Sequence, residues 1–174
     1  MTGHPVRAVS CLAAAVALAG AAPRPAAPRP APPGDRAFAL RATGVQIYTC
    51  GPGVTGPAWR LTAPEAELRD SAGALAGRHF AGPTWQAPDS SSTVVGEPVA
   101  SSPAPRAGAV PWVVLRAATH TGAGAFARVA FVTRTETSGG LAPAGGCDGA
   151  RVGRTARVPY SATYTFFPAA ERRP

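Results

Sequence analysis

The amino-acid sequence predicts a small all-β domain, a sandwich or barrel of roughly seven to nine short strands held by one disulfide. Gly and Pro together make up 40 of the 174 residues, which disfavours long helices. Aromatic and β-branched residues fall in short runs, and turn-forming residues separate those runs at close spacing. This composition excludes a coiled coil, a multi-span membrane protein and a large two-domain enzyme.

The N-terminal segment has the features of a secretory signal peptide. Arg7 precedes an uncharged stretch, Ala8–Ala22, whose length and Ala, Leu and Val content match an apolar signal core. Small residues at its end supply a cleavage site. We therefore expect residues 1–21 to be removed and the mature protein to be secreted or held in the cell envelope. A Pro- and Ala-rich spacer is expected over 22–34, and a folded domain over 35–174.

Two other interpretations of the N-terminus are weaker. The apolar run is shorter than the roughly 20 residues that span a bilayer, which disfavours an uncleaved anchor. We expect no transmembrane segment after signal removal. Cys11 would suit a lipoprotein, but most of the apolar segment follows this cysteine instead of preceding it.

The first half of the domain divides into strands and tight turns. Val45–Cys50 is rich in strand formers and ends at a Gly/Pro cluster, and a strand-like alternation resumes at Trp59–Leu61. Two further runs, Ala66–Arg69 and Leu75–Phe80, flank Asp70–Gly73, whose residue types favour a hairpin turn.

The second half continues in the same way. Thr84–Gln86 and Thr93–Val95 lie on either side of a second turn, Pro88–Ser91, and a longer loop is expected over Ser101–Gly108. Trp112–Leu115 is the most apolar run and predicts a central strand buried on both faces. Period-two patterns predict the last two strands and the residues that share one face of each: Val129, Phe131, Thr133 and Thr135, then Tyr160, Tyr164 and Phe166.

Several motifs occur in order along the domain. They are Gly-Val-Gln-Ile-Tyr-x-Cys over 44–50, Gly-Arg-His-Phe-Ala-Gly-Pro-Thr-Trp over 77–85, Val-Pro-Trp over 110–112, His-x-Gly-x-Gly over 120–124, Gly-Gly-Leu-Ala-Pro over 139–143 and Val-Pro-Tyr over 158–160. The series resembles a secreted bacterial and fungal family of unknown function, family 3455, from about Phe38 to Phe167. The resemblance implies secretion and a β-rich fold, and it lends no activity. In the family pattern Glu usually follows the tryptophan at position 85, where this chain has Gln86.

Some fungal members of that family carry a malate-dehydrogenase label, which Gly51–Gly56 allows us to test. This segment spells the G-x-G-x-x-G of dinucleotide sites, but those glycines must open a helix whose amides hold the pyrophosphate. Pro57 and the strand-like Trp59–Leu61 follow instead. We therefore expect a turn here, reject the dehydrogenase interpretation and expect no cofactor.

Two cysteines, Cys50 and Cys147, remain after signal removal, which is an even number in an oxidising compartment. Their bridge would close a loop of about 100 residues and, in the chain-entropy model, stabilise the fold by about 4–5 kcal/mol. A metal site built from both cysteines and a histidine is the alternative, but neither cysteine belongs to a C-x-x-C pair. We predict a structural disulfide and no metal site.

One short segment combines charged, aromatic and amide side chains in a mixture unusual for a core or a simple turn. We expect a small polar or carbohydrate ligand to hydrogen-bond Arg78, His79 or Gln86 and to pack on Trp85, with the loop around His120 beside it. In the alternative, Trp85 anchors the core and His79 bonds the carbonyl of a neighbouring strand.

These observations favour a non-catalytic binding or envelope-associated module. The alternative is a small secreted hydrolase or metal-dependent enzyme that uses His79, His120 and a nearby carboxylate, although no recognised catalytic spacing links them. From residue 35 onward there are 14 Arg against 9 acidic residues. The arginines are scattered and no nucleic-acid motif accompanies them, so nucleic acid is not an expected partner.

Overall fold

The computed structural model describes residues 36–169, so the expected signal peptide and the spacer over 22–34 lie outside the described residues. The strands are β1 (Phe38–Pro52), β2 (Pro57–Arg69), β3 (Leu75–Phe80), β4 (Thr84–Gln86), β5 (Ser92–Ser102), β6 (Trp112–Gly122), β7 (Val129–Gly139) and β8 (Thr155–Pro168). A short 3₁₀ turn, Gly149–Arg151, precedes β8. Between residues 36 and 169, no helix has the length and apolar character needed to cross a membrane.

The eight strands form one antiparallel sheet that closes on itself as an up-and-down barrel. Each strand pairs with the next along the chain, and β8 returns to pair with β1 over twelve positions, from Phe38 opposite Phe166 to Thr49 opposite Thr155. This pairing satisfies both edges of the sheet, because each edge strand hydrogen-bonds the other. Of the two architectures that the sequence predicts, the structure is the barrel and not the sandwich.

Two of the connections are the predicted hairpins, and each is held by an aspartate. The Asp70 carboxylate accepts hydrogen bonds from the backbone amides of Ala72 and Ala74, both at 2.9 Å, in the turn between β2 and β3. The Asp89 carboxylate accepts a bond of 3.0 Å from the Ser91 amide in the turn between β4 and β5. Both turns are therefore confirmed, and both follow from the tendency of aspartate to bond its own backbone two residues on.

Aromatic rings fill the barrel interior. Trp85 lies at the centre, with His79 stacked on it at 4.7 Å between ring centroids and Tyr164 and Phe166 approaching edge-on at 5.4 and 5.9 Å. Phe126, carried by the connection between β6 and β7, is fully buried and lies 5.0 Å from Phe166. Large rings are needed here because Leu, Ile, Val and Phe make up only 30 residues of the chain.

Two of the predicted strand faces are wrong. Within Trp112–Leu115 only Leu115 is buried, because a strand of a barrel faces the interior with alternate residues alone. In β7 the register shifts between Val129 and Phe131, so Val129 and Val132 are buried while the Phe131 side chain is 45% exposed. Such a bulge inserts one residue and inverts the alternation that a period-two pattern assumes.

The predicted disulfide is present. Cys50 and Cys147 are bridged, with 5.4 Å between their α-carbons. The bridge joins the end of β1 to the connection between β7 and β8, and two backbone bonds support it, from Cys50 N to Arg154 O at 2.8 Å and from Gly153 N to Cys50 O at 2.9 Å. This connection is therefore held across one end of the barrel.

At Gly44 the backbone of β2 leaves no room for a side chain on β1, and we expect Gly44→Ala to lower the free energy of unfolding by about 1–3 kcal/mol. A Cβ atom at this position would overlap the Glu65 carbonyl oxygen and lie 2.7 Å from the Ala66 Cβ. A Cβ at Gly51, in the same strand, would meet nothing within 4 Å. Gly51→Ala is the matched control and is expected to change stability by less than about 0.5 kcal/mol. Urea unfolding followed by tryptophan fluorescence measures both, and equal stability of the two variants would contradict the close strand contact.

Candidate functional site

The residues predicted to form a ligand site are divided between the two faces of the sheet. Arg78 and His79 are consecutive in β3, so Arg78 lies on the outer surface while His79 faces the interior and is 3% exposed. Gln86 in β4 is half-buried and donates a hydrogen bond of 3.3 Å to Thr93. Trp85 is fully buried, so the expectation that it offers an exposed face to a ligand is wrong. The alternative, in which Trp85 anchors the core, describes its position.

His79 is a neutral core histidine. Its Nδ1 donates a hydrogen bond of 2.8 Å to the Thr84 carbonyl oxygen of the neighbouring strand, which is the structural role considered for it from the sequence. Burial lowers the pKa of His79 from 6.5 to about 4; the Thr84 bond opposes this change, and the positive charge of Arg134 adds to it. The imidazole is therefore uncharged at neutral pH.

His120 lies within β6 and not in the following loop. Its Nε2 donates a hydrogen bond of 2.6 Å to the Val129 carbonyl oxygen. His79, Trp85, Val94 and His120 are successive partners across four strands, so the two histidine backbones are three strand spacings apart, about 14 Å measured along the curved sheet. Over residues 36–169, no group of three or more His, Cys, Asp or Glu side chains is placed to hold a metal ion.

The glycine-rich segment Gly51–Gly56 forms the hairpin between β1 and β2. Pro52 and Pro57 are directly opposed across it, and β2 runs back antiparallel to β1. The turn expected for this segment is therefore present.

A different part of the surface carries a polar cleft of about 520 Å³, which we call the Trp112 cleft. It lies against the outer face of β1, β8 and β7 and beneath the connection between β5 and β6. Its residues are Arg41, Ala42, Thr43, Pro105, Arg106, Trp112, Glu136, Thr137, Ser138, Ser161, Ala162 and Thr163. The volume falls within the range of roughly 300–1,000 Å³ that small-molecule sites occupy.

The pairing of the barrel strands aligns hydroxyl groups along this cleft. Thr43 in β1 is opposite Ser161 in β8, and Ser161 is opposite Ser138 in β7, so three hydroxyl side chains form one row on the outer face. In the next outward row Arg41 is opposite Thr163. Directly opposed side chains on one face lie about 5 Å apart, which makes each row a continuous polar surface.

A second bulge in β7 brings a carboxylate to these rows. The register shifts between Thr135 and Ser138, and Glu136 within this shift has a left-handed backbone with φ of 49°. That conformation is costly for a residue with a side chain, and bulges of this kind re-aim side chains near functional sites. Here the extra residue leaves Glu136 exposed, and its carboxylate accepts a hydrogen bond of 2.6 Å from the Thr163 hydroxyl.

The connection over 103–111 forms the opposite wall of the cleft and is held firmly to β7. The Val110 amide bonds the Gly139 carbonyl at 2.9 Å, and the buried Thr137 hydroxyl donates to the Val110 carbonyl at 2.7 Å. The Arg106 guanidinium donates to the Ser138 hydroxyl at 2.9 Å. Because this loop is attached at several points, the wall of the cleft exists before any ligand arrives.

The family comparison agrees with the resemblance inferred from the motifs. A family model described as "Protein of unknown function (DUF3455)" matches residues 30–168. The chain belongs to this family. No curated protein and no solved structure matches it. The match spans all eight strands and both disulfide cysteines, so the Trp112 cleft lies wholly within the DUF3455 domain.

Sequence analysis missed the Trp112 cleft because its residues come from β1, the β5–β6 connection, β6, β7 and β8 of the DUF3455 barrel. The sequence predicts that Trp112 lies in a strand buried on both faces, whereas Trp112 is half-buried and lines the cleft. Single Thr, Ser and Arg residues on strands look like ordinary outer-face residues. One signal was available, which is that β1 and β8 carry hydroxyl residues outward at positions that an up-and-down barrel brings together.

We expect the buried neutral His79 to make the DUF3455 domain less stable as the pH falls. Below pH 6.5 the unfolded chain binds a proton that folded His79 takes up only near pH 4, so the free energy of unfolding falls across this window by about 3 kcal/mol. Above pH 6.5 the group contributes nothing to the slope. Urea unfolding at several pH values measures the slope.

His79→Phe keeps an aromatic ring against Trp85 and removes the titrating group. Between pH 6.5 and 4 the free energy of unfolding of this variant is therefore expected to fall by about 3 kcal/mol less than that of the unaltered protein. A His79→Phe variant with an unchanged slope would contradict the assignment.

Proposed function

We propose that this chain is an exported, non-catalytic binding module whose Trp112 cleft takes a small polyhydroxylated ligand, a carbohydrate. The observation that carries the proposal is the meeting of a half-buried indole with rows of hydroxyl groups, arginines and one carboxylate in a single cleft. No activity comes to the chain from the DUF3455 family, whose description is of unknown function.

The chemistry of the cleft suits a sugar ring. A sugar has an apolar face of C–H groups, which packs on an indole, and a rim of hydroxyls, each of which both donates and accepts hydrogen bonds. Trp112 offers the indole, while Thr43, Ser138 and Ser161 offer hydroxyls that also both donate and accept. Guanidinium groups add donors, and Glu136 adds acceptors. A few placed polar groups around an apolar surface are the usual composition of a small-molecule site.

A binding role is favoured over a hydrolytic one by the groups that line the cleft. Glu136 is its carboxylate, and neither histidine of the described chain lines it. Hydrolysis of a glycosidic bond ordinarily uses a pair of carboxyl groups on either side of that bond. The single carboxylate of the cleft therefore supports recognition of hydroxyl groups.

We expect oligosaccharide binding to depend on Trp112. Titration of a panel of oligosaccharides into the ¹⁵N-labelled domain should shift amide signals from β1, β7 and β8. Trp112→Ala should weaken the affinity about tenfold, which corresponds to about 1.4 kcal/mol of lost stacking.

Phe131→Ala is the control for that experiment, because Phe131 is an exposed aromatic residue of β7 outside the cleft. It should leave the affinity unchanged. Shifts that map away from the cleft, or equal losses in the two variants, would refute the proposed site.

Export is the second part of the proposal, and it rests on the uncharged segment Ala8–Ala22 and the small residues that end it. We expect N-terminal sequencing of the exported protein to begin at Ala22. Ala21→Phe places a bulky residue at the cleavage site and should leave the precursor uncut, with the larger mass retained on an immunoblot. A product that keeps Met1 and stays in the cytoplasm would overturn this part.

A further inference from the structure

On the basis of the proposed function, we infer that the carbohydrate in the Trp112 cleft is an acidic one, a uronate whose carboxylate is bound by Arg41 and Arg106. Hydroxyl and indole groups alone leave the charge of the ligand undefined, whereas the pairing of the charged side chains on the outer face defines it.

Most carboxylates of the described chain already have a partner of their own. Four of them form ion pairs with arginines at 2.7–3.2 Å: Glu67 with Arg69, Glu97 with Arg116, Asp148 with Arg151 and Glu65 with Arg157. The other three within residues 36–169 are Asp70 and Asp89, which cap turns, and Glu136, which accepts from Thr163. Each of these seven carboxylates thus has at least one partner among the described residues.

The two arginines of the cleft stand outside this pairing. Arg41 makes no hydrogen bond or ion pair with any residue between 36 and 169, and the residue opposite it in β2 is Arg69, a like charge already bound to Glu67. Arg106 donates to the Ser138 hydroxyl and has no carboxylate partner in the described range. A cleft with two uncompensated guanidinium groups and one carboxylate carries a net positive charge.

Guanidinium groups bind carboxylates with paired, charge-assisted hydrogen bonds, which is the strongest recognition that this cleft offers to any ligand atom. Arg106 is also held in place before binding, since its bond to Ser138 and the attachment of residues 103–111 to β7 limit its movement. Less conformational entropy is therefore lost when it binds an anion.

Glu136 explains why the ligand is an acidic sugar and not a bare anion. Its carboxylate repels every anion that enters the cleft, the carboxylate of a uronate included, but it accepts hydrogen bonds from sugar hydroxyls, and a sugar offers more of these than phosphate or sulfate. The Thr163 hydroxyl bonds Oε2, and no described residue bonds Oε1, so one oxygen is available to a ligand. A molecule with one carboxylate and several hydroxyl groups suits this cleft, because the carboxylate binds the arginines and a hydroxyl group donates to Glu136.

The neighbouring cleft of about 370 Å³ beside Phe80 gives a useful contrast. It contains Arg78 and Arg157 but also Glu65 and Glu67, so its charges balance, and no tryptophan lines it. Of these two clefts, the Trp112 cleft is the one that combines excess positive charge with an indole.

The decisive measurement compares uronate trisaccharides, such as trigalacturonate and trimannuronate, with their methyl esters. Esterification removes the negative charge and keeps the rings and their hydroxyl groups. Calorimetric titration into the folded protein should show at least one uronate binding about five- to tenfold more tightly than its ester at low ionic strength. Added salt should reduce the difference, and inorganic phosphate should not displace the sugar.

Three variants test the residues. Arg41→Gln and Arg106→Gln should each reduce the preference for the acid over the ester, and the double variant should show no preference between the two. Arg60→Gln removes the same charge from an exposed position of β2 outside the cleft and should keep the full preference. Circular dichroism and thermal unfolding verify that each variant is folded.

The possible failures are distinct. Acid and ester binding with equal affinity would overturn the inference and leave the carbohydrate-binding proposal standing. A preference for the acid that survives in the double variant would also overturn the inference, because residues other than Arg41 and Arg106 would then bind the carboxylate. Absence of binding by every acidic and neutral sugar would overturn both the inference and the proposed function.

Discussion

The pairing of the first strand with the last is the constraint on which the rest of the structure depends. β1 and β8 are joined along twelve positions, and this contact alone converts a meandering sheet into a closed barrel with an interior. It encloses Trp85 and the rings around it, and it also sets Arg41 and Thr43 of β1 beside Thr163 and Ser161 of β8 on the outside. One set of backbone hydrogen bonds therefore creates the core and the cleft together.

Much of the fold could be predicted because short-range rules govern it. Turns that contain an aspartate, strand-forming runs and an even pair of cysteines each act over few residues or through one strong bond, and the sequence predicts all three correctly. The predicted faces of β6 and β7 are wrong for different reasons: a barrel strand such as β6 faces the interior with alternate residues alone, and the alternation in β7 is broken by bulges at Val129–Phe131 and Thr135–Ser138. A bulge changes which side every later residue faces, and no residue type in the sequence marks it.

The site was less predictable than the fold for a related reason. The ligand site predicted from the sequence groups residues that are close along the chain. Neighbouring side chains of a strand point to opposite faces, so Arg78 lies outside the barrel and His79 inside it. The Trp112 cleft joins residues more than one hundred positions apart, such as Thr43 and Ser161, through a register that only barrel closure defines. Glu136 reaches the cleft through its left-handed backbone conformation, which cannot be predicted from a glutamate in the sequence.

The Cys50–Cys147 bridge also determines how the molecule responds to proteolysis. Exposed loops are where proteases cut first, and every connection from β1 through to β7 lies between the two cysteines. A single cut in any of these loops leaves both fragments covalently joined within the same barrel. Only a cut between residue 147 and β8 would separate the last strand, and there the Asp148 side chain caps the 3₁₀ turn while backbone bonds tie residues 153 and 154 to Cys50. The connectivity of one bond thus keeps a nicked chain in one piece.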